Sequence, residues 1–345
     1  MIESIKLVNF RNFHEKKLDS IQEKNFIVGE NGAGKTNILE ALSLLGNNSL
    51  SGLQIENFVK KGENIFYIEY QTSEGDTVAL SYDKEKKKKN YIVNGKHVSK
   101  KKFTDAGYKC VVFSPIIMNL MYLSPSLRRD FLDTILSNSY SEYSNVLKEY
   151  KKILSSRNKV LKNISEGQSK KEEILFWDTK FIEKASKIYG YRFKLIHFFE
   201  SQISQSLEYF NGKIENIDFI YKTKIDEENI EKNISSYITE NIERDIILAK
   251  TPIGPHVDDF DIYVDGISLT SYASRGETKS VILWLKLLEI VFTEKMTGKK
   301  PILLIDDLLS ELDDVHKDMF TKKIKYYQTF ITSIHIGEEN NIIKL

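Results

Sequence analysis

The chain has 345 residues, 41% hydrophobic and 29% charged, which excludes disordered and fibrous classes and leaves room for a full core. A formal net charge of +1 excludes bulk charge as an argument for nucleic-acid binding, so any such surface must be a local patch. One cysteine, Cys110, excludes a disulfide framework; MIESIKLVNF lacks a signal-peptide pattern and no apolar run reaches membrane-spanning length, so the expectation is a cytoplasmic protein without membrane association.

SIKLVNF and KNFIVG read as strands, and NILEALSLLG has helical apolar spacing. IFYIEYQ, DTVALSYD and NYIVNGKHV follow as strands rich in aromatic and β-branched residues, with Asn94-Gly95 marking a tight hairpin turn. The lysine-dense run KEKKKK (84–89) lies between two of them, either as a solvated hairpin tip or as a phosphate-backbone contact. From about Ser126 the texture becomes helical: one long segment runs from LRRDFLD to VLKNI, and a second follows the polar loop EGQSKKEE. NIDFIYK reads as a short strand and EENIEKNISSYITENIERDIILAK as a helix. The α/β texture then returns as strand DFDIYV, helix 277–295, strand PILLI, helix VHKDMFTKKIKYY and strand TFITSI. The expected architecture is α/β: a domain interrupted by a helical insertion.

GENGAGKT (29–36) follows a strand and opens a helix, which is the context that G-x-x-x-x-G-K-[ST] requires. Gly29, Glu30, Asn31, Gly32, Ala33 and Gly34 turn backbone N–H groups onto phosphates. Lys35 reaches the β/γ oxygens, the Thr36 hydroxyl ligates Mg²⁺, and Asn37 follows. A chance glycine-rich turn is the bland alternative. The strand PILLI ends in Asp306 and Asp307. Asp306 is expected in the metal shell and Asp307 at the attacking water, against the alternative that the pair merely caps the next helix. YASRGETKS (272–280) opens another helix, and its start is either a cap or a phosphate site. One phosphate loop is already present, so a second on the same nucleotide is best supplied by a neighbouring subunit.

LVNFRNF, GENGAGKT, FSP with RRDFLD, GPHVDD, YASRGETKS and LLIDDLLSELD together resemble, in order and spacing, the RecF family of bacterial DNA-repair ATPases, from residue 5 to about 335. The resemblance implies an ABC-type P-loop ATPase domain (1–115 and 246–345) with a helical second lobe inserted (116–245) that forms a DNA clamp. It implies that Ser274, Arg275 and Gly276 bond the γ-phosphate held by a partner subunit, and that Arg11 and Asn12 are early nucleotide contacts. Glu311, Leu312 and Asp313 would form a loop crossing the dimer interface. It implies ATP and Mg²⁺ as cofactors, an ATP-dependent homodimer, and weak DNA-stimulated ATP hydrolysis that acts as a switch. DNA, double-stranded or at gapped and single-stranded junctions, would be bound; RecR and RecO would be partners in loading RecA, with a link to the SOS response. Val257 stands where the family usually has arginine, Glu277 where glutamine is usual, and Ile116 and Ile117 where acidic residues commonly follow FSP. A metal-sensing loop is expected near Ser114.

Only seven arginines stand against 43 lysines, so arginine is expected where a planar fork is needed. That scarcity points Arg128 and Arg129 to an interface or to DNA. His256 in GPHVDD reads as a loop-bonding histidine, His335 as a candidate γ-phosphate switch, and Trp177 and Trp284 as core residues. The competing functions are a small-molecule kinase and a structural SMC-like ATPase. The first predicts an acceptor pocket; the second requires long coiled-coil arms, for which 126–210 is too short.

Overall fold

The computed structural model describes residues 1–46, 50, 52–206, 210, 214–271, 275–312, 314–333 and 341–345; the side chains of 204–206, 275, 310, 311 and 315 lie outside that description. Contact density divides the chain into two compact units, Met1–Met118 with Leu285–Leu345, and Asn119–Trp284.

The first unit holds two sheets. Strands β1 (Ile2–Phe10), β2 (Phe13–Leu18), β4 (Ile65–Thr72), β5 (Thr77–Asp83), β6 (Lys88–Val93) and β7 (Lys96–Val98) form an antiparallel sheet in the order β2-β1-β4-β5-β6-β7. Between β6 and β7, Asn94 and Gly95 both have positive φ, 50° and 72°, the backbone that a two-residue Asn-Gly turn demands. The second sheet is parallel: β14 (Ile342–Lys344), β3 (Lys24–Val28), β13 (Thr329–Ser333), β12 (Ile302–Ile305) and β8 (Cys110–Phe113), in that order. ILLI and CVVF are apolar without alternation because a parallel sheet is covered on both faces. Helix α1 (Lys35–Leu45) brings Ile38, Leu39 and Leu42 into one core with Leu7, Phe66 and Ile68 of the antiparallel sheet and with Leu304 and Phe330 of the parallel one. Each such fully buried side chain contributes about 1.5–3 kcal/mol of transfer free energy, so the apolar stripe of α1 fixes its start against the parallel strands. Helices α2 (Lys100–Ala106) and α8 (Asp314–Lys323) complete this unit, together with the second half of α7 (Arg275–Thr297).

The other unit contains α3 (Pro125–Ser139), α4 (Tyr143–Ser165), α5 (Ile174–Ser206), α6 (Ile230–Leu248) and the sheet β11 (Ile267–Ser268), β10 (Asp259–Val264), β9 (Ile217–Lys222). The expected single helix from LRRDFLD onward is two, interrupted at Tyr140–Glu142, where Tyr140 is extended (φ −121°, ψ 119°). Pairs Tyr143–Tyr191, Lys184–Glu149 and Arg157–Asp178 descend in register, so α4 and α5 run antiparallel. DFDIYV pairs with NIDFIYK, register Asp259↔Lys222 to Val264↔Ile217, and therefore falls in this unit.

Several arginines are used as their scarcity suggests, through the planar guanidinium, but inside the fold. Arg128 is buried and bidentate on Asp259 (2.7 and 2.8 Å), with Nη1 also donating to the Leu123 carbonyl at 2.8 Å. Arg129 donates to the Asp258 carbonyl at 2.9 Å. The expected interface or DNA role for Arg128 is therefore corrected: its guanidinium is consumed inside the fold. Trp284 is core as expected, whereas Trp177 is only partly buried and packs edge-on against the exposed Phe176.

Candidate active site

The parallel strands β3, β13, β12 and β8 end in register, with Val28 beside Ser333, Ile305 beside Ile331 and Phe113 beside Ile305. Loops leaving the carboxyl ends of such a sheet are where α/β proteins build their sites. The loop after β3 is 29–34. Gly32 and Gly34 have φ of 85° and 109°, and a Cβ on Gly34 would stand 2.6 Å from Phe13 and 2.9 Å from the Asn12 amide. Only glycine fits there, on backbone and side-chain grounds together. The amides that open α1 have no helical acceptors and lie at the positive end of its dipole.

Lys35 is buried, and its Nζ donates to the Gly29 and Glu30 carbonyls at 2.8 and 3.1 Å, so the ammonium spans its own loop. The Thr36 hydroxyl donates to Asp306 Oδ1 at 3.0 Å. Thr332, on β13, donates to the same oxygen at 2.9 Å and accepts from the Asp307 amide at 2.9 Å. The Asp306 amide donates to the Phe113 carbonyl at 2.8 Å. Four elements thus meet at one residue. Burial, and then the charges of Asp307 and Glu40, push the Asp306 carboxyl above its usual range, while the two threonine hydroxyls oppose that shift. Asp307 has φ 47°, the left-handed conformation of a sharp exit from the strand.

Asn12 and Asn37 are brought to the loop. Asn12 Nδ2 donates to the Ala33 carbonyl at 3.1 Å, and Asn37 Nδ2 donates to Asn12 Oδ1 at 2.7 Å. Arg11, expected at the nucleotide, is bidentate on the buried Glu40 of α1 (2.8 and 2.9 Å), with its guanidinium 4.8 Å from the Phe58 ring centre. It neutralises a carboxylate whose charge reaches Asp306. Glu30 and Asn31 lie in the loop and are exposed. Gly276 is exposed on α7 in the other compact unit; Ser274, Asp313 and His335, and the side chains of Arg275 and Glu311, fall outside the described residues. Leu312 is buried.

Two residues of the site belong to no motif. Thr332 hides in a strand whose β-branched residues read as packing; its only signal is a hydroxyl at the carboxyl end of a strand beside the aspartates. Glu40 stands on the apolar stripe of α1, where a carboxylate requires a partner.

His256, in the GPHVDD loop, has Nε2 2.8 Å from the Thr251 carbonyl, which only accepts, so Nε2 carries the proton; Nδ1 then accepts from the Tyr150 hydroxyl at 2.5 Å. Burial lowers its pKa to about 4. It is a loop-bonding histidine, as expected.

The residues present suit a nucleotide and a hard cation. The glycine loop leaves backbone amides where a side chain would clash, and Thr36 and Asp306 offer hard oxygens. Among the described residues no cluster of three or more His, Cys, Asp or Glu forms a closed metal cage. Mg²⁺ keeps several waters and needs only one or two protein oxygens beside phosphate.

This loop, on a parallel sheet flanked by an antiparallel one, with a helical unit inserted, defines the head of an ABC/SMC-type ATPase. A family model described as the RecF/RecN/SMC N terminal domain matches residues 1–342. The chain belongs to the RecF family. The DNA replication and repair protein RecF of Thermoanaerobacter sp. (strain X514) is 32% identical over 334 residues, covering 94% of this chain and 91% of the relative. A solved structure of the recombination mediator protein RecF-ATP in the RecFOR pathway superposes with a TM-score of 0.87 at 30% identity, covering 99% of this chain and 95% of that one. The RecF-ATPrS structure gives a TM-score of 0.91 at 30% identity, with 100% and 96% covered.

Proposed function

We propose that this chain is an ATP-switched DNA-binding protein of recombinational repair and replication-gap processing. The observation that carries the reading is the junction in which Thr36, at the phosphate loop, and Thr332 both donate to Asp306. Lys35 and the amides of 29–37 would hold the triphosphate, with Asn12 buttressing the loop through Ala33. Thr36 and Asp306 would hold Mg²⁺, which when bound neutralises phosphate charge and relieves the raised carboxyl. Asp307, fixed by Thr332, would orient and polarise the attacking water. The helix start at Ser274, Arg275 and Gly276 would serve the nucleotide of a second copy, so that ATP closes a homodimer on DNA and slow, DNA-stimulated hydrolysis reopens it. Structural similarity to RecF-ATP of the RecFOR pathway supports this reading. Family membership supports, as part of this proposal, RecR and RecO as partners in loading RecA, a link to the SOS response, a cytoplasmic location, and duplex, gapped and single-stranded junctions as substrates. A functional division into an ATPase lobe (1–115 and 246–345) and a clamp lobe (116–245) is proposed with it, although the compact units divide the chain at 118/119 and 284/285. Among the described residues no helix is long and apolar enough to cross a membrane.

Sedimentation velocity with ATP, Mg²⁺ and DNA tests the shared site. Wild type should shift from monomer to dimer, and Ser274→Arg should stay monomeric while retaining ATP binding. A wild type that remains monomeric, or a variant that dimerises equally well, contradicts the reading.

A further inference from the structure

We propose that the lysine-rich margin of the six-stranded sheet, formed by the β5–β6 hairpin tip, β7 and the start of α2, is a docking surface for the backbone of duplex DNA. It rests on the DNA-binding reading above and locates one contact for it.

Residues 84–102 contain nine lysines, one glutamate and no arginine, and all nine lysines are exposed. They converge from three elements. The tip carries Lys84 and the lysines 86–89, β7 opens with Lys96 opposite Val93, and α2 begins with lysines 100–102. The Tyr91 ring of β6 packs 4.9 Å from the Phe103 ring of α2, which holds the helix beside the hairpin. Lys89 and Lys100 lie near enough that, after burial, the Lys100 charge lowers the Lys89 ammonium below its usual pKa. Counter-charge at the tip is sparse among the described residues: Lys86 meets Asp83 at 3.5 Å, and Glu85 accepts from Asn64 at 2.7 Å. Concentrating like charges works against the folded state, whereas a polyanion relieves the repulsion. The chain as a whole carries a formal charge of only +1, so this is a patch and not a bulk property.

The type of polyanion follows from the side chains. Lysines are point charges suited to phosphates, and without an arginine fork the patch reads no base edges. Tyr82 is buried and Tyr91 is half-buried against Phe103, so no tyrosine or phenylalanine of residues 82–103 stands free to stack single-stranded bases. A strand advances about 3.3 Å per residue, close to the roughly 3.4 Å between phosphates along one strand of a duplex. Lys88 and Lys89 open β6 while Lys86 and Lys87 lie in the turn, so the tip offers a cluster of ammonium groups within reach of neighbouring phosphates.

The test is duplex DNA affinity across a salt series for wild type, K86Q/K87Q/K88Q/K89Q, and the charge-preserving K86R/K87R/K88R/K89R. The glutamine variant should show a slope of log affinity against log salt less negative by about 3, with affinity at ~0.1 M salt lowered at least about tenfold. Its DNA-free ATP turnover should match wild type, and the arginine variant should keep the wild-type slope. Equal slopes and affinities for wild type and the glutamine variant overturn the proposal while leaving the DNA reading intact. No duplex binding by wild type in any nucleotide state sinks both. Loss of binding to phosphatidylserine vesicles with unchanged DNA binding reassigns the patch to a lipid surface and also overturns it.

Discussion

Around Asp306 the donors are two threonine hydroxyls, with a lysine ammonium spanning the neighbouring loop. Around the 251–260 loop of the other unit they are the guanidinium groups of Arg128, Arg129, Arg157 and Arg192. Arg157 reaches Asp178, Asp245 and Thr251; Arg192 reaches Asp133 and the Pro255 carbonyl. Both regions bury carboxylates, but they satisfy them differently. A hydroxyl can turn to a hydrated cation and an ammonium to a phosphate at little cost, because each is a small group that rotates freely to a new partner. A buried bidentate guanidinium cannot, since breaking it strands charges in low dielectric. The cradle is poised to change partners and the GPHVDD loop is locked.

The largest effect should come from the locked region. Arg157→Met leaves Asp178 and Asp245 buried without their cation, and chemical denaturation should show a loss of about 3–5 kcal/mol. Unchanged stability would remove the contrast between the regions. In the cradle, Lys35→Met should reduce ATP turnover by about a hundredfold or more while moving stability by no more than about 1 kcal/mol. Thr332→Val should lower turnover by about tenfold, as expected when a hydrogen bond supporting the carboxylate proposed to hold the cation is lost; a turnover equal to wild type would detach β13 from the site.

The remaining prediction concerns His256. Its folded pKa of about 4 lies below the ordinary histidine value of 6.5, so the unfolded chain binds more protons between those values and stability rises with pH there. The contribution of the neutral ring is complete above about pH 6.5 and is lost as the pH falls towards 4. The stability gap between wild type and His256→Gln should therefore narrow on acidification through that window. A constant gap would mean that the ring is not held neutral.

Legibility in the sequence follows from how each feature is encoded. The phosphate loop is legible because glycines, lysine and threonine must be contiguous on a strand–loop–helix, and PILLIDD because a fully buried parallel strand has to be apolar throughout. β2 is invisible: FHEKKL has half its side chains exposed and carries no alternation. The break between α3 and α4 leaves no trace because SNSYSEY contains neither glycine nor proline. Thr332 and Glu40 act across 26 residues on one side and 29 on the other, distances over which local pattern carries no signal. Arg128 shows the converse: scarcity correctly forecasts a fork, but whether the fork faces a carboxylate of the same chain or a partner depends on tertiary placement.

The most direct measurement is the Mg²⁺ dependence of ATP affinity in wild type, Thr36→Val and Asp306→Asn. If these two oxygens form the cation site, Mg²⁺ should tighten ATP binding to wild type, and each variant should lose that tightening while its affinity in EDTA stays close to wild type. Variants that keep the full Mg²⁺ effect would contradict the assignment of the Thr36–Asp306–Thr332 junction as the cation site.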